Sequence, residues 1–127
     1  MGKLGVTVFS RSLRYRNDSV KLPDGSTHTY LRGDEKGIDV RIALDVIGGA
    51  MRDEFDVAVV FSQDQDLSEV AVEIPVIAHQ RARWIRMACA YPISPTTRNR
   101  RGINKTQWIP IARNIYDACL DPTDYRK

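Results

Sequence analysis

An α/β fold, a mostly parallel sheet flanked by helices, is predicted by three features of this 127-residue sequence. The run Asp56-Val57-Ala58-Val59-Val60-Phe61 is short, apolar and β-branched, which reads as a strand buried on both faces. Helical periodicity stands on either side of it, with Val40, Ala43, Leu44, Ile47 and Met51 before it and residues 66–74 after it. A second extended run, Trp84 to Tyr91, then continues the helix–strand alternation.

Taken in order, Gly5-Val6-Thr7-Val8-Phe9-Ser10 reads as a first strand because β-branched and aromatic residues dominate it. Ser10 to Gly33 reads as a long basic loop, or a small hairpin closed at Asp24-Gly25, since Pro23-Asp24-Gly25 is a turn signal. Gly37 breaks the chain, and Asp39 suits the N-cap or first turn of the helix that follows. Gly48-Gly49 weakens that helix by about 1 kcal/mol per glycine, or lets it pack closely on a sheet. After the 56–61 strand, a helix is expected from about Asp66 to Ile74. Pro75 ends or kinks it, with a continuation open as far as Arg81. Pro92 stops the next strand, Trp108-Ile109-Pro110-Ile111 is a short extended segment, and Arg113 to Leu120 is a last short helix. The whole is read as one domain, 1–127, with no repeat and no linker.

No run of about 18 apolar residues exists, so no membrane span is expected. The first residues lack the apolar core of a signal peptide, and a cytoplasmic location is the expectation. Cys89 and Cys119 lie too far apart for a C-x-x-C zinc site and read as buried thiols. Net charge is only +3, but it is unevenly spread. Residues 34–73 hold eleven acids, whereas residues 74–116 hold none and carry Arg81, Arg83, Arg86, Arg98, Arg100, Arg101, Lys105 and Arg113. A basic stretch of this kind suits a polyanion, and nucleic acid is the obvious one.

The candidate chemistry lies in Ser62-Gln63-Asp64-Gln65-Asp66-Leu67. Functional groups of open parallel sheets gather beyond the carboxyl ends of the strands. Two close carboxylates repel unless a cation, a protonation shift or full solvation relieves them. Carboxylate oxygens suit Mg²⁺ or Mn²⁺; a solvated loop with Asp66 as a helix N-cap is the structural alternative. The helix opened by Asp39 runs antiparallel to the 56–61 strand, so Asp39 is expected on the same rim as Asp64 and Asp66. Three convergent carboxylates beside a basic surface describe a metal-dependent phosphodiesterase. Asp45 lies about 120° from Asp39 around the helix and reads as structural, paired with Arg41. His28, His79, Trp84 and Trp108 are also read as structural, the two tryptophans as core. No Gly-rich phosphate loop or nucleophile motif is present.

Glu35-Lys36-Gly37-Ile38-Asp39-Val40, followed by Ser62 to Leu67 with Asp64 standing 25 positions after Asp39, resembles the NYN domain family. These are PIN-like, metal-dependent ribonucleases with a Rossmann-like sheet. The resemblance continues through Pro95 to Gly102 and Trp108-Ile109-Pro110 and covers most of the chain. It implies Mg²⁺ or Mn²⁺ held by Asp39, Asp64 and Asp66 as the catalytic acids, and RNA as the substrate. The nucleic-acid contacts are then expected at Arg98, Arg100, Arg101 and Lys105, with Arg11, Arg14 and Arg16 as a second basic group. Gln63 and Gln65 stand where the family's S-G-D-S-D has small residues, which narrows access to the acids. The family's opening strand, ending in D-G-x-N and supplying the first metal-binding Asp, has no counterpart here. Val6 to Ser10 resembles the family's second strand instead. The fold is therefore expected to be incomplete at its N-terminus, truncated or naturally short, with an impaired acid set. Its unpaired sheet edges would favour a homodimer or strand exchange. Two other readings stay open: a non-catalytic RNA-binding or protein-interaction module of the same fold, and a nucleotide-sugar transferase using D-x-D. The length fits the second of these poorly.

Overall fold

The computed structural model describes residues 5–124, in two compact units, Met1–Ile42 and Ala43–Lys127. The first unit is built on a hairpin. Strand β1 (Arg14–Lys21) pairs antiparallel with β2 (Thr27–Asp34), in a register that sets Arg14 opposite Asp34 and Lys21 opposite Thr27. The turn closes at Asp24-Gly25, as one of the two sequence readings has it. Gly25 takes φ +84°, and Asp24 accepts hydrogen bonds from the Ser26 hydroxyl at 2.6 Å and the Ser26 N–H at 2.9 Å. Those bonds, the hydroxyl's first, hold the Asp24 carboxyl below its ordinary pKa. Asp34 binds Arg16 at 2.8 Å and Arg32 at 3.1 Å, tying the two strands together. The expected strand over Gly5–Ser10 does not form. Val6, Val8 and Phe9 are exposed and have no ladder partner, so strand propensity finds no sheet to join.

Helix α1 (Ile38–Met51) runs from the first unit into the second, with Asp39 in its first turn. Its covered face differs from the expected one. Val46, Gly49 and Ala50 are buried, while Val40, Leu44 and Met51 are each more than half exposed. The small residues explain this: a Cβ on Gly49 would lie 2.7 Å from the Phe55 ring, so only glycine allows that approach. The helix ends through Asp53, which takes φ 59°, and Glu54 N–H donates back to the Gly49 carbonyl at 2.9 Å.

The second unit holds a parallel sheet of β3 (Val57–Phe61), β4 (Arg86–Pro92) and β5 (Gln107–Ile111), in the order β3-β4-β5. The structure is thus α/β with a small parallel sheet and helices. Helix α2 (Ser68–Gln80) packs on β4 and contributes Val70, Ala71, Ile74 and Ile77 to the core. Met87 to Tyr91 of the central strand are all buried. Cys89 and Ile103 are fully covered, and the Ile103 N–H donates to Cys89 Sγ at 3.1 Å. Helix α3 (Arg113–Ala118) is short and exposed throughout, so Cys119 at its end is exposed rather than buried as expected.

Helix α2 runs through Pro75, which lies on its exposed side, to Gln80, the continuation the sequence leaves open. Two further expectations are corrected. Strand β3 is an edge, with Val60 buried and Val57, Val59 and Phe61 exposed, so it is not covered on both faces. Trp84 and Trp108 are 62% and 44% exposed and are not core residues.

An ion-pair cluster joins the end of α1 to the turn after α2. Asp53 receives Arg81 Nε at 3.1 Å and lies 2.9 Å from Arg83 Nη1, and Arg83 Nη2 reaches Asp56 at 2.7 Å. The Arg83 Nη1 contact is close enough for charge attraction but is not aligned as a hydrogen bond. Hydrogen bonding from Arg81, and then the Arg83 guanidinium beside it, lowers the Asp53 pKa from the ordinary 3.8 to about 2. A carboxylate depressed in this way adds stability above its unfolded pKa and loses it as pH falls through its folded one. Asn tolerates the left-handed backbone, so Asp53→Asn removes the charge alone. The gap in urea midpoint between wild type and this variant is expected to be full above about pH 4 and to close toward pH 2. A gap unchanged down to pH 2 would mean the ion pairs are not its source.

Candidate nucleic-acid interface

Because β3, β4 and β5 are parallel, their carboxyl ends form one rim of the second unit. Ser62 to Leu67 leaves β3 at that rim and turns directly into a single 3-10 turn, Gln65–Leu67. Asp64 caps this turn: its Oδ1 accepts the Asp66 N–H at 2.9 Å, while its own N–H donates to Ser62 Oγ at 3.0 Å. The capping residue is therefore Asp64, not Asp66, and the regular helix starts only at Ser68. Leu67 is buried and anchors the turn in the core. This local geometry holds the two aspartates at the surface, Asp64 half-buried and Asp66 exposed.

The two glutamines that alternate with the acids hold the basic loop. Gln63 Nε2 donates to the carbonyls of Asn99 at 3.2 Å and Arg101 at 3.0 Å. Gln65 Nε2 donates to the Gly102 carbonyl at 2.9 Å, and Gln65 Oε1 accepts the Asn104 N–H at 3.1 Å. Four hydrogen bonds thus fix residues 99–104 against the stretch that carries the acids. Gly102 makes the seat possible, since a Cβ there would lie 2.6 Å from both Cys89 Sγ and the Trp108 ring. Tyr91 donates its hydroxyl to the Arg100 carbonyl at 3.2 Å, a further hold on the loop from β4.

The loop cations keep their charge. Arg100 donates to the Thr97 and Ser94 carbonyls, and Arg101 to Asn104 Oδ1, all neutral acceptors. Among the described residues, Arg98, Arg100, Arg101 and Lys105 have no carboxylate partner, and Asp39, Asp64 and Asp66 have no cationic one. The opposite holds where charges serve the fold, as at Asp53 and Asp56. In the first unit Arg16 is paired with Asp34, Arg11 lies 5.4 Å over the Phe9 ring, and Arg14 is exposed.

An apolar cleft of about 510 Å³ opens on the same rim. Its lining includes Phe61, Ser62, Ile93, Ser94, Arg113 and Tyr116. Phe61 and Tyr116 are 75% and 58% exposed.

The structure sets the stretch that carries Asp64 and Asp66 against the backbone of residues 99–104, which carries Arg100 and Arg101. Asp39 belongs to the first unit. Among the described residues no three His, Cys, Asp or Glu side chains form a metal-holding group. The Asp64–Asp66 pair nonetheless fits a hard cation chemically. Mg²⁺ keeps several waters and is commonly held by one or two carboxylates plus substrate phosphates. Sequence reasoning assigned Gln63 and Gln65 only a crowding effect and missed their hold on the loop. Their departure from small residues was the available signal. No helix among the described residues is long and apolar enough to cross a membrane.

No family model matches the sequence, and neither a curated protein nor a solved structure matches it. The resemblance to the NYN family therefore rests on the residues quoted for it.

Gln65→Ala leaves the Asn104 N–H without its acceptor. The Asn104 amide is expected to exchange with solvent about 5–30-fold faster, the equivalent of 1–2 kcal/mol. Amide exchange followed by NMR checks this. Gly102→Ala is expected to lower stability by about 1–3 kcal/mol through overpacking against Cys89 and Trp108, measured by urea unfolding.

Proposed function

We propose that this protein is an RNA-directed, metal-dependent phosphodiesterase domain of the NYN/PIN-like kind, with its working face at the carboxyl ends of β3 to β5. The observation that carries this reading is the Gln63 and Gln65 clamp. It fixes a segment with two arginines that have no carboxylate partner, Arg100 and Arg101, against the segment of two aspartates that have no cationic one. Cations and carboxylates left unpaired on neighbouring segments suit a ligand bearing both anionic groups and metal ions, and RNA is such a ligand.

In this reading Arg98, Arg100 and Arg101 neutralise backbone phosphates; Lys105, expected with them from the sequence, lines a cavity at the amino ends of β4 and β5 instead. Arg11 and Arg14 offer a second basic contact, and Arg16 a weaker one because Asp34 already pairs with it. The Phe61–Tyr116 cleft accepts an unstacked base, since single-stranded RNA is read by aromatic stacking. Asp64 and Asp66 would hold Mg²⁺ or Mn²⁺, which when bound would supply Lewis acidity at the phosphate and a more acidic water. The resemblance adds Asp39 as a third carboxylate, and Asp39→Asn tests whether it takes part.

A second reading, RNA binding without turnover, is favoured by one observation: no group of three metal-ligating side chains exists among the described residues. The two are separated by one assay. Single-stranded RNA is incubated with and without Mn²⁺, with binding followed in parallel as a function of salt. The first reading expects Mn²⁺-dependent cleavage that Asp64→Asn lowers at least 100-fold while RNA binding is retained. Cleavage that survives Asp64→Asn sinks the mechanism. Salt-sensitive binding with no cleavage leaves the second reading.

A further inference from the structure

The opposite end of the same sheet carries a second cavity, of about 750 Å³, between α2 and the amino ends of β4 and β5. Its floor is apolar, from Ala71, Ile74 and Met87, and its rim is cationic, from Arg83, Arg86 and Lys105. No acidic residue lines it. Arg83 is already neutralised by Asp53 and Asp56, but Arg86 and Lys105 have no carboxylate partner among the described residues. Trp84 stands at the mouth with its indole 62% exposed, and the Arg86 guanidinium lies 5.8 Å from its ring centre.

An indole exposed to this degree beside two unpaired cations is costly for a surface with no ligand, because the ring forgoes burial. It is the composition that binds an anion attached to a flat ring: the cations meet phosphate and the ring meets a base. A duplex keeps its bases stacked on each other and offers an indole none of them, whereas a single strand offers every base. We propose that this cavity seats one nucleotide of a single-stranded nucleic acid, with the base stacked on Trp84 and its phosphates held by Arg86 and Lys105. The seat is separate from the carboxylate rim, at the other end of the parallel strands, and requires no metal. A strand bound here is gripped without being near the acids, so it serves retention of the substrate rather than its cleavage.

The test uses the full chain in EDTA with a fluorescein-labelled single-stranded RNA of twelve nucleotides. Binding is read by anisotropy across a salt series, and tryptophan emission is recorded on titration with unlabelled RNA. Trp84→Ala is expected to weaken binding about ten-fold, and Trp84→Phe to restore most of it. Arg86→Gln and Lys105→Gln are each expected to reduce the salt slope by about one. Tryptophan emission is expected to be quenched by RNA in wild type and not in Trp84→Phe, where Trp108 is the remaining reporter. Wild-type binding unaffected by Trp84→Ala, with emission unquenched, overturns the seat while leaving the carboxyl-rim reading intact. Equal Trp84-dependent binding of heparin or a phosphopeptide overturns the nucleic-acid assignment. Absence of any RNA binding by wild type in EDTA overturns the seat, while the rim reading is decided by its own Mn²⁺ assay; binding lost in Arg100→Gln but kept in Trp84→Ala overturns the seat alone.

Discussion

Two glutamine side chains set the working surface of this protein. Gln63 and Gln65 alternate with Asp64 and Asp66 in the sequence, and both amides reach the 99–104 loop. Each amide takes carbonyls of that loop, which would otherwise go without these partners. The loop then cannot swing its arginines away from the acids without breaking several hydrogen bonds at once. Gly102 completes the constraint by letting the loop backbone lie against Cys89 and Trp108. Among the described residues the acids of one segment and the arginines of the other do not pair, so these charges add nothing to stability by ion pairing.

The charge pattern divides along the same line. Asp53, Asp56, Arg81 and Arg83 join the end of α1 to the turn before β4 and neutralise one another. Asp18, Asp34, Arg16 and Arg32 do the same across the hairpin. Among the described residues, cations from residue 86 onward have no carboxylate partner, with the exception of Arg113 on Asp117. The acid-free run in the sequence is therefore a basic surface after folding as well, spread over both ends of the parallel strands.

Much of this order was legible in the sequence. The apolar run 57–61, the turn signal at Asp24-Gly25 and the helical spacing after Gly37 each mark an element that forms, because each is decided by local chemistry. What failed depends on distant partners. The strand expected over Gly5–Ser10 needs a neighbour that the described residues do not supply, and β3 is covered on one face for the same reason. Val57, Val59 and Phe61 remain an exposed apolar row on an unpaired edge. The tryptophans were misread because hydrophobicity does not say which side of a strand's end a ring will occupy. The glutamine clamp was invisible for a related reason: its partners are backbone carbonyls 36 to 38 residues away, which no side-chain pattern advertises.

The central claim is that the clamp makes one site of the acids and the basic loop. Paramagnetic broadening of the protein's amide resonances by Mn²⁺, with a short single-stranded RNA bound to the Asp39→Asn variant or to wild type on a non-hydrolysable backbone, tests it most directly. The account predicts broadening centred on residues 62–67 that reaches the 99–104 amides next, and that loses this second arm in a Gln63→Ala, Gln65→Ala double variant. Broadening centred on Asp53 and Asp56, or confined to 62–67 with the loop unaffected, would contradict it.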